Sequence, residues 1–200
     1  GQYLALTACR FKARSAQFLN LTPWFFYHAD KQKLFNFLKD TAFTNKEDFD
    51  VQFKSFYKQP DFLFAQDCWI ESFKTEILKA LEFRDINSFY NYFSQAVLED
   101  KQWEQNRQSF LKASPSSLAV VFEQFKRADR QTDRKKLFEM ESVIAMNMSC
   151  RFDFPEGVRA LLIDKTKDPK WKPKHIDNID PEEIKKYFIP QENWDCELKV

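Results

Sequence analysis

Residues 153–173 read DFPEGVRALLIDKTKDPKWKP, a short helical turn opened by Pro155 and followed by a lysine-rich tail around Trp171. Proline is tolerated in the first turn of a helix, where its missing N–H would have had no partner. Glu156 and Arg159 stand three residues apart, the spacing at which side chains meet on a helix face. At that spacing the two could pair directly. Lys165, Lys167, Lys170, Lys172 and Lys174 surround Trp171.

Upstream, the chain reads as helix after helix. Residues 1–7 resemble the end of a helix, and Ser15 is placed to cap a brief one running to Asn20. Pro23 then forces Thr22 out of helical backbone. The aromatic run Trp24–Tyr27 is the best strand candidate, with Arg10–Lys12 a second extended piece. Leu34, Phe37 and Leu38 have helical spacing, and Phe49, Phe53 and Phe56 repeat it over 45–57. The spacing predicts one helix over 70–83 and another capped by Asp85 with Phe89, Tyr92, Phe93 and Val97 inward. Further helices are predicted over 101–112, over 118–127 with Leu118, Val121, Phe122 and Phe125 inward, and over 130–150. In the last, Leu137, Met140, Glu141, Ile144 and Met148 form the inward stripe. Glu139 or Glu141 could be a buried acid there, although a surface carboxylate is the plainer reading. The acids after Asp180 and Pro181 mark a final helix start, and 59–67 and 165–178 read as linkers.

Composition is that of a folded protein, with 44% apolar and 30% charged residues. A formal net charge of +1 gives no global field for nucleic acid or membrane surfaces. The excess of phenylalanine, 23 residues, reads either as codon drift or as a set of anchors for a partner surface. Cys9, Cys68, Cys150 and Cys196 are widely spaced, form no CxxC, and have only His28 and His175 to join them, so no metal site is expected. They read as free thiols. No apolar run approaches the ~20 residues of a membrane helix, so no membrane partner is expected.

The stretch PEGVRALLIDK with PKWKP resembles the C-terminal signature of the 3-hydroxyisobutyryl-CoA hydrolase family, within the crotonase superfamily, and the presence of Glu156 and Arg159 in that signature implies a structural clasp between this helix and the core in preference to catalysis. GQYLALTACRFKARSA at the start resembles the segment that follows that family's catalytic carboxylates. SPSSLAVVFEQF and the Met140–Glu141 pair of the long helix also resemble family segments. The likeness runs from Gly1 to about Phe188, and it is least specific from Asp30 to Arg107. One departure is clear. Where the family has Gly-(Ile/Leu)-Ala-Thr-His, this chain has Asn20-Leu21-Thr22-Pro23-Trp24. That change fits drift in an active lineage, or a pocket that kept its fold and lost its reaction.

The resemblance implies a mainly α piece: the helical C-terminal portion of a crotonase-like α/β fold, with one or two short strands near the N-terminus. Residues 1–28 would end the crotonase core, and 29–200 would form the helical C-terminal region of the same domain. The family hydrolyses an acyl-CoA thioester in mitochondrial valine breakdown, with coenzyme A as part of the substrate and no separate cofactor. Its oxyanion loops are glycine-rich, whereas this chain has two glycines. No catalytic residue is therefore carried over, and this segment alone is expected to be inactive. The implied partners are the N-terminal catalytic portion, the acyl-CoA and further copies of the chain. The lysine tail reads first as a solvated loop with Trp171 packed on the core. Next comes a CoA contact through Lys165, Lys170 and Trp171, and then an RNA backbone contact. The last would suit a non-catalytic member of the family in the mitochondrial ribosomal small subunit.

Overall fold

A computed structural model describes residues 1–63 and 67–191, and every described regular element is helical. The chain divides into two compact units, residues 10–74 and residues 1–9 with 75–200. Cys196 lies outside the described residues, as does part of the 59–67 linker.

The unit spanning 10–74 contains α2 (Ala13–Phe18), α3 (Lys31–Asp40), α4 (Lys46–Phe56) and α5 (Trp69–Ser72). Asn45 caps α4, its side chain accepting from the Asp48 N–H at 2.8 Å. The Phe37 and Phe56 rings stack at 4.2 Å, Trp24, Phe26, Phe37, Phe49 and Tyr57 close around Phe53, and Phe43 packs on Phe37 and Phe49. Many of the phenylalanines are thus the packing material of one cluster. Trp24–Tyr27 forms no strand, nor does Arg10–Lys12. A strand needs a neighbour to complete its ladder. Here the Phe25 N–H instead reaches the Tyr57 hydroxyl at 3.4 Å, and Trp24 and Phe26 insert their rings into the cluster. Asn20 takes a left-handed φ of 53°, which its short polar side chain tolerates, and the Thr22 hydroxyl accepts from the Trp24 N–H at 3.3 Å. The Asn20–Trp24 substitution is therefore a self-bonded turn. Ser15 is not a cap. It lies inside α2, buried, with no partner for its hydroxyl.

The second unit holds α1 (Gln2–Thr7), most of α6 (Lys74–Leu81), α7 (Ile86–Gln95), α8 (Lys101–Leu111), α9 (Pro115–Ala128), α10 (Arg134–Ser149), α11 (Asp153–Val158) and α12 (Pro181–Lys186). Asp85, Asp100, Ser114, Asp133 and Asp180 cap five of these, each side chain accepting a backbone N–H of the first turn. The core is aromatic: Phe89, Phe93, Trp103 and Phe110 are each 0% exposed, with Tyr3 and Phe122 against them. The Trp103 indole N–H donates to the Ala96 carbonyl at 2.5 Å, so burial leaves no orphan donor. A second apolar cluster joins α9, α10 and the C-terminal turn through Val120, Ile144, Ile184 and Tyr187.

Four expectations shift. The helix expected over 70–83 breaks at Phe73 into α5 and α6. Val97 lies past the end of α7 and is exposed, and Tyr92 is half-buried, its hydroxyl donating to Glu76 at 2.8 Å. In α9 the buried neighbour of Phe122 is Val120, with Val121 half-buried. In α10 Ile144 is buried and Met140 and Met148 pack on the same cluster, as expected, but Val143 and Asn147 are buried beside them and Glu141 is exposed. The reason is Asn147. Its amide donates to the carbonyls of Tyr187 and Ile189 at 3.1 and 2.9 Å, tying down the C-terminal turn. Hydrophobic spacing cannot show a polar residue chosen to satisfy two backbone acceptors distant in the chain.

Candidate functional site

The DFPEG stretch forms α11, and a π turn follows over Arg159–Ile163. The Asp164 N–H returns to the Arg159 carbonyl at 2.7 Å, the i→i+5 bond of that register. Asp153 and Glu156 share one face at helical spacing, and both are buried. A buried carboxylate is tolerable only when its lone pairs are filled. Asp153 accepts from the Lys172 N–H at 2.8 Å and from the Ser114 hydroxyl at 2.5 Å. Glu156 accepts from the Lys170 N–H at 2.6 Å and from Arg159 through two bonds of 2.8 Å. Arg159 also reaches Asp164 at 2.5 Å. Two carboxylates one helical turn apart therefore hold two backbone N–H groups of the lysine tail, two residues apart. Ser114 links the same site to α9, because its hydroxyl also accepts the Ser117 N–H as the helix cap.

Trp171 closes the arrangement. Its indole lies on Gly157, where an added Cβ would stand 3.3 Å from the ring. Its N–H donates to the Lys112 carbonyl at 2.9 Å. The glycine of the PEG motif is therefore a seat for an aromatic ring. The Lys172 ammonium turns back over the Phe152 ring at 4.2 Å.

The loop so held forms one wall of a cleft of about 1040 Å³. Lys112, Lys167, Lys170, Lys174 and His175 line it, with Asp168 among the lining residues and Trp171, Tyr90, Pro115 and Leu161 as apolar walls. The Lys170 ammonium pairs with Asp168 at 3.0 Å. Lys165 and Lys167 take left-handed φ values of 57° and 58°. Of the residues expected to meet a ligand, Lys170 and Trp171 border the cleft and Lys165 does not. Lys167 and Lys174, members of the lysine cluster read around Trp171, border it too, whereas Lys112 and His175 join it from positions that sequence reading did not link to that cluster. Asp153 was missed as well, although its spacing of three from Glu156 was visible. Cys9, Cys68 and Cys150 are free, and no three His, Cys, Asp or Glu side chains converge among the described residues.

The electrostatics match the geometry. The Arg159 guanidinium, and then the Lys170 N–H, hold the Glu156 carboxyl down to about 2, against an ordinary value of 4.5. A carboxylate depressed in the fold stabilises the clasp fully above its ordinary value, and that contribution fades as pH falls toward 2. The Lys170 amide resonance should therefore titrate with a midpoint near 2. A midpoint near 4.5 would mean that the ion pair does not form in solution. The Thr166 hydroxyl, followed by Lys170, lowers Asp168 as well.

The chain belongs to the enoyl-CoA hydratase/isomerase family, whose profile matches residues 1–188. It is 45% identical over 109 residues, 54% of this chain and 29% of the relative, to the mitochondrial 3-hydroxyisobutyryl-CoA hydrolase of Dictyostelium discoideum. To the Danio rerio protein of that name it is 26% identical over 99% of this chain and 51% of the relative. The fold matches an enoyl-CoA hydratase from Rhodobacter sphaeroides with a TM-score of 0.72, at 20% identity over 94% of this chain and 51% of that one. A carnitinyl-CoA dehydratase from Mycobacterium thermoresistibile matches with a TM-score of 0.75, at 16% identity over 96% and 52%. The chain thus spans about half the length of the relatives that it matches end to end.

Proposed function

We propose that this chain is the helical C-terminal part of a 3-hydroxyisobutyryl-CoA hydrolase-like acyl-CoA thioesterase, acting in mitochondrial valine breakdown. The observation that carries the reading is the lysine-lined cleft, fixed in place by the Asp153 and Glu156 clasp. Thioester hydrolysis needs an attacking water, a proton acceptor and N–H donors for the oxyanion. This chain's two glycines are Gly1 and Gly157, and the second is covered by Trp171. The reacting groups are therefore assigned to the remainder of the family fold, and this part supplies charge for the phosphates of coenzyme A. Lys167, Lys170 and Lys174, which line the cleft, would take that role, with Trp171 as the wall beside them.

The test is titration of coenzyme A against the chain. A charge-assisted bond to a partly exposed phosphate contributes roughly 1.5–3 kcal/mol. Lys167→Ala or Lys170→Ala should then weaken binding by about tenfold or more. Lys165→Ala, outside the cleft, should not. The chain alone should not turn over 3-hydroxyisobutyryl-CoA above the buffer rate. Unchanged affinity in all three variants overturns the phosphate role. If instead each lost lysine flattens the salt dependence of binding to a mitochondrial rRNA fragment by about one unit, the cleft is an RNA contact and the chain a ribosomal scaffold.

A further inference from the structure

Residues 126–136 read KRADRQTDRKK, where α9 ends and α10 begins. Six cations stand there against two acids, a net +4 in a chain whose formal total is +1. Lys126 and Arg127 have a partner in Glu123, at 3.7 and 2.8 Å. Arg130, Arg134, Lys135 and Lys136 are exposed and have no acidic partner among the described residues. Asp133 is engaged as the helix cap, accepting the Lys135 N–H at 2.9 Å. Three of the free cations fill the first turn of α10, which holds no acid. The helix dipole is positive there, so the placement costs stability. The chain does the reverse at α4 and α12, whose first turns carry Glu47 and Asp48, and Glu182 and Glu183. A cluster that opposes its own helix and lacks an internal partner is arranged for an anion outside the chain. It is no inner surface of a larger fold either, because unpaired cations are too costly to bury.

The face continues without charge. Phe138 lies one turn beyond Arg134 and Lys135 and is 59% exposed, and Ser142, Ala145 and Met146 follow at helical spacing. The Ser142 hydroxyl donates to the Phe138 carbonyl at 2.9 Å, so its polarity is turned to its own helix. Of the nearby acids, Glu139 is half-buried, and Glu141 accepts the Gln124 amide at 3.3 Å. We propose that this corner of α9 and α10 is a docking surface for an anionic lipid bilayer. The cations meet the headgroups, and Phe138 and Met146 lie against the acyl boundary. A nucleic-acid strand fits less well, since its backbone needs cations along the whole track and here they stop at Lys136. The surface shares no residue with the lysine-lined cleft.

The experiment is co-sedimentation of the 200-residue chain with vesicles of equal parts phosphatidylcholine and phosphatidylserine. Binding is expected to these vesicles and not to phosphatidylcholine alone, and it should fall as salt screens the cations. The triple variant Arg134→Gln, Lys135→Gln, Lys136→Gln should weaken binding about a hundredfold, roughly fivefold for each cation. The triple variant Lys31→Gln, Lys33→Gln, Lys39→Gln removes the same charge from exposed positions in the other unit and should leave binding nearly unchanged. Phe138→Ser should weaken binding severalfold at every salt concentration. The α10 triple variant should melt at or above the parent temperature, because its helix loses cations from the positive end. Absence of vesicle binding, equal losses in the two triple variants, full binding by Phe138→Ser, or a lower melting temperature for the α10 triple variant each overturns the proposal. So does binding to a single-stranded RNA oligonucleotide but not to vesicles, which would give the corner to nucleic acid.

Discussion

Phe93→Ala should lower the unfolding free energy by about 3–5 kcal/mol, the cost of emptying a fully buried phenylalanine site. Phe93 is 0% exposed, and its ring meets Tyr3, Phe89, Trp103 and Phe110 at 5.2–5.8 Å between centroids. These neighbours come from α1, α7 and α8, so the gap cannot close by moving one helix. Each is a rigid ring that cannot extend into the space. Domains of this kind have about 5–15 kcal/mol in total, so the loss is at least about a fifth of the margin. Urea unfolding followed by circular dichroism measures it. Leu78→Ala, at a position 52% exposed, should stay within about 0.5 kcal/mol and serves as the reference. A Phe93→Ala loss no larger than that of Leu78→Ala would mean that the aromatic core is not packed as described.

Asp153→Ala should cost about 3 kcal/mol by a different route. The carboxylate receives the Lys172 N–H and the Ser114 hydroxyl, and Ser114 in turn caps α9. Removing the acceptor leaves two donors in a buried site, each worth about 1–3 kcal/mol when orphaned. Asp153→Asn keeps one acceptor oxygen and should cost visibly less. The side effect separates this mechanism from a simple cavity. Exchange of the Lys172 amide should accelerate in Asp153→Ala even under strongly native conditions, because the loop is released before the core melts. Slow exchange at Lys172 with an unchanged melt would mean that the loop is held by something other than Asp153.

Most of the helical framework was legible in residue order. Asn45, Asp85 and Ser114 announce helix starts through side chains that reach only their own first turn, so the signal is local. The Phe49, Phe53 and Phe56 stripe and the DFPEGVRALLIDK turn were visible for the same reason. Glu156 and Arg159 were readable as a pair because three residues on a helix fix their separation.

What the sequence could not determine depended on groups far apart in the chain. Trp24–Tyr27 has strand composition, and only the position of Tyr57 and Phe53 decided that its rings would fill a cluster instead of its backbone joining a sheet. Asn147 breaks an apolar stripe for the sake of carbonyls forty and forty-two residues away. Asp153 and Ser114 meet across thirty-nine residues, and the lysines of the cleft come together only after that bond sets the loop. Local spacing specifies which residues share a helix face. Which face turns inward is set by the partners that satisfy or cover it, and for Asp153–Ile163 these draw the carboxylates in and leave the aliphatic side out.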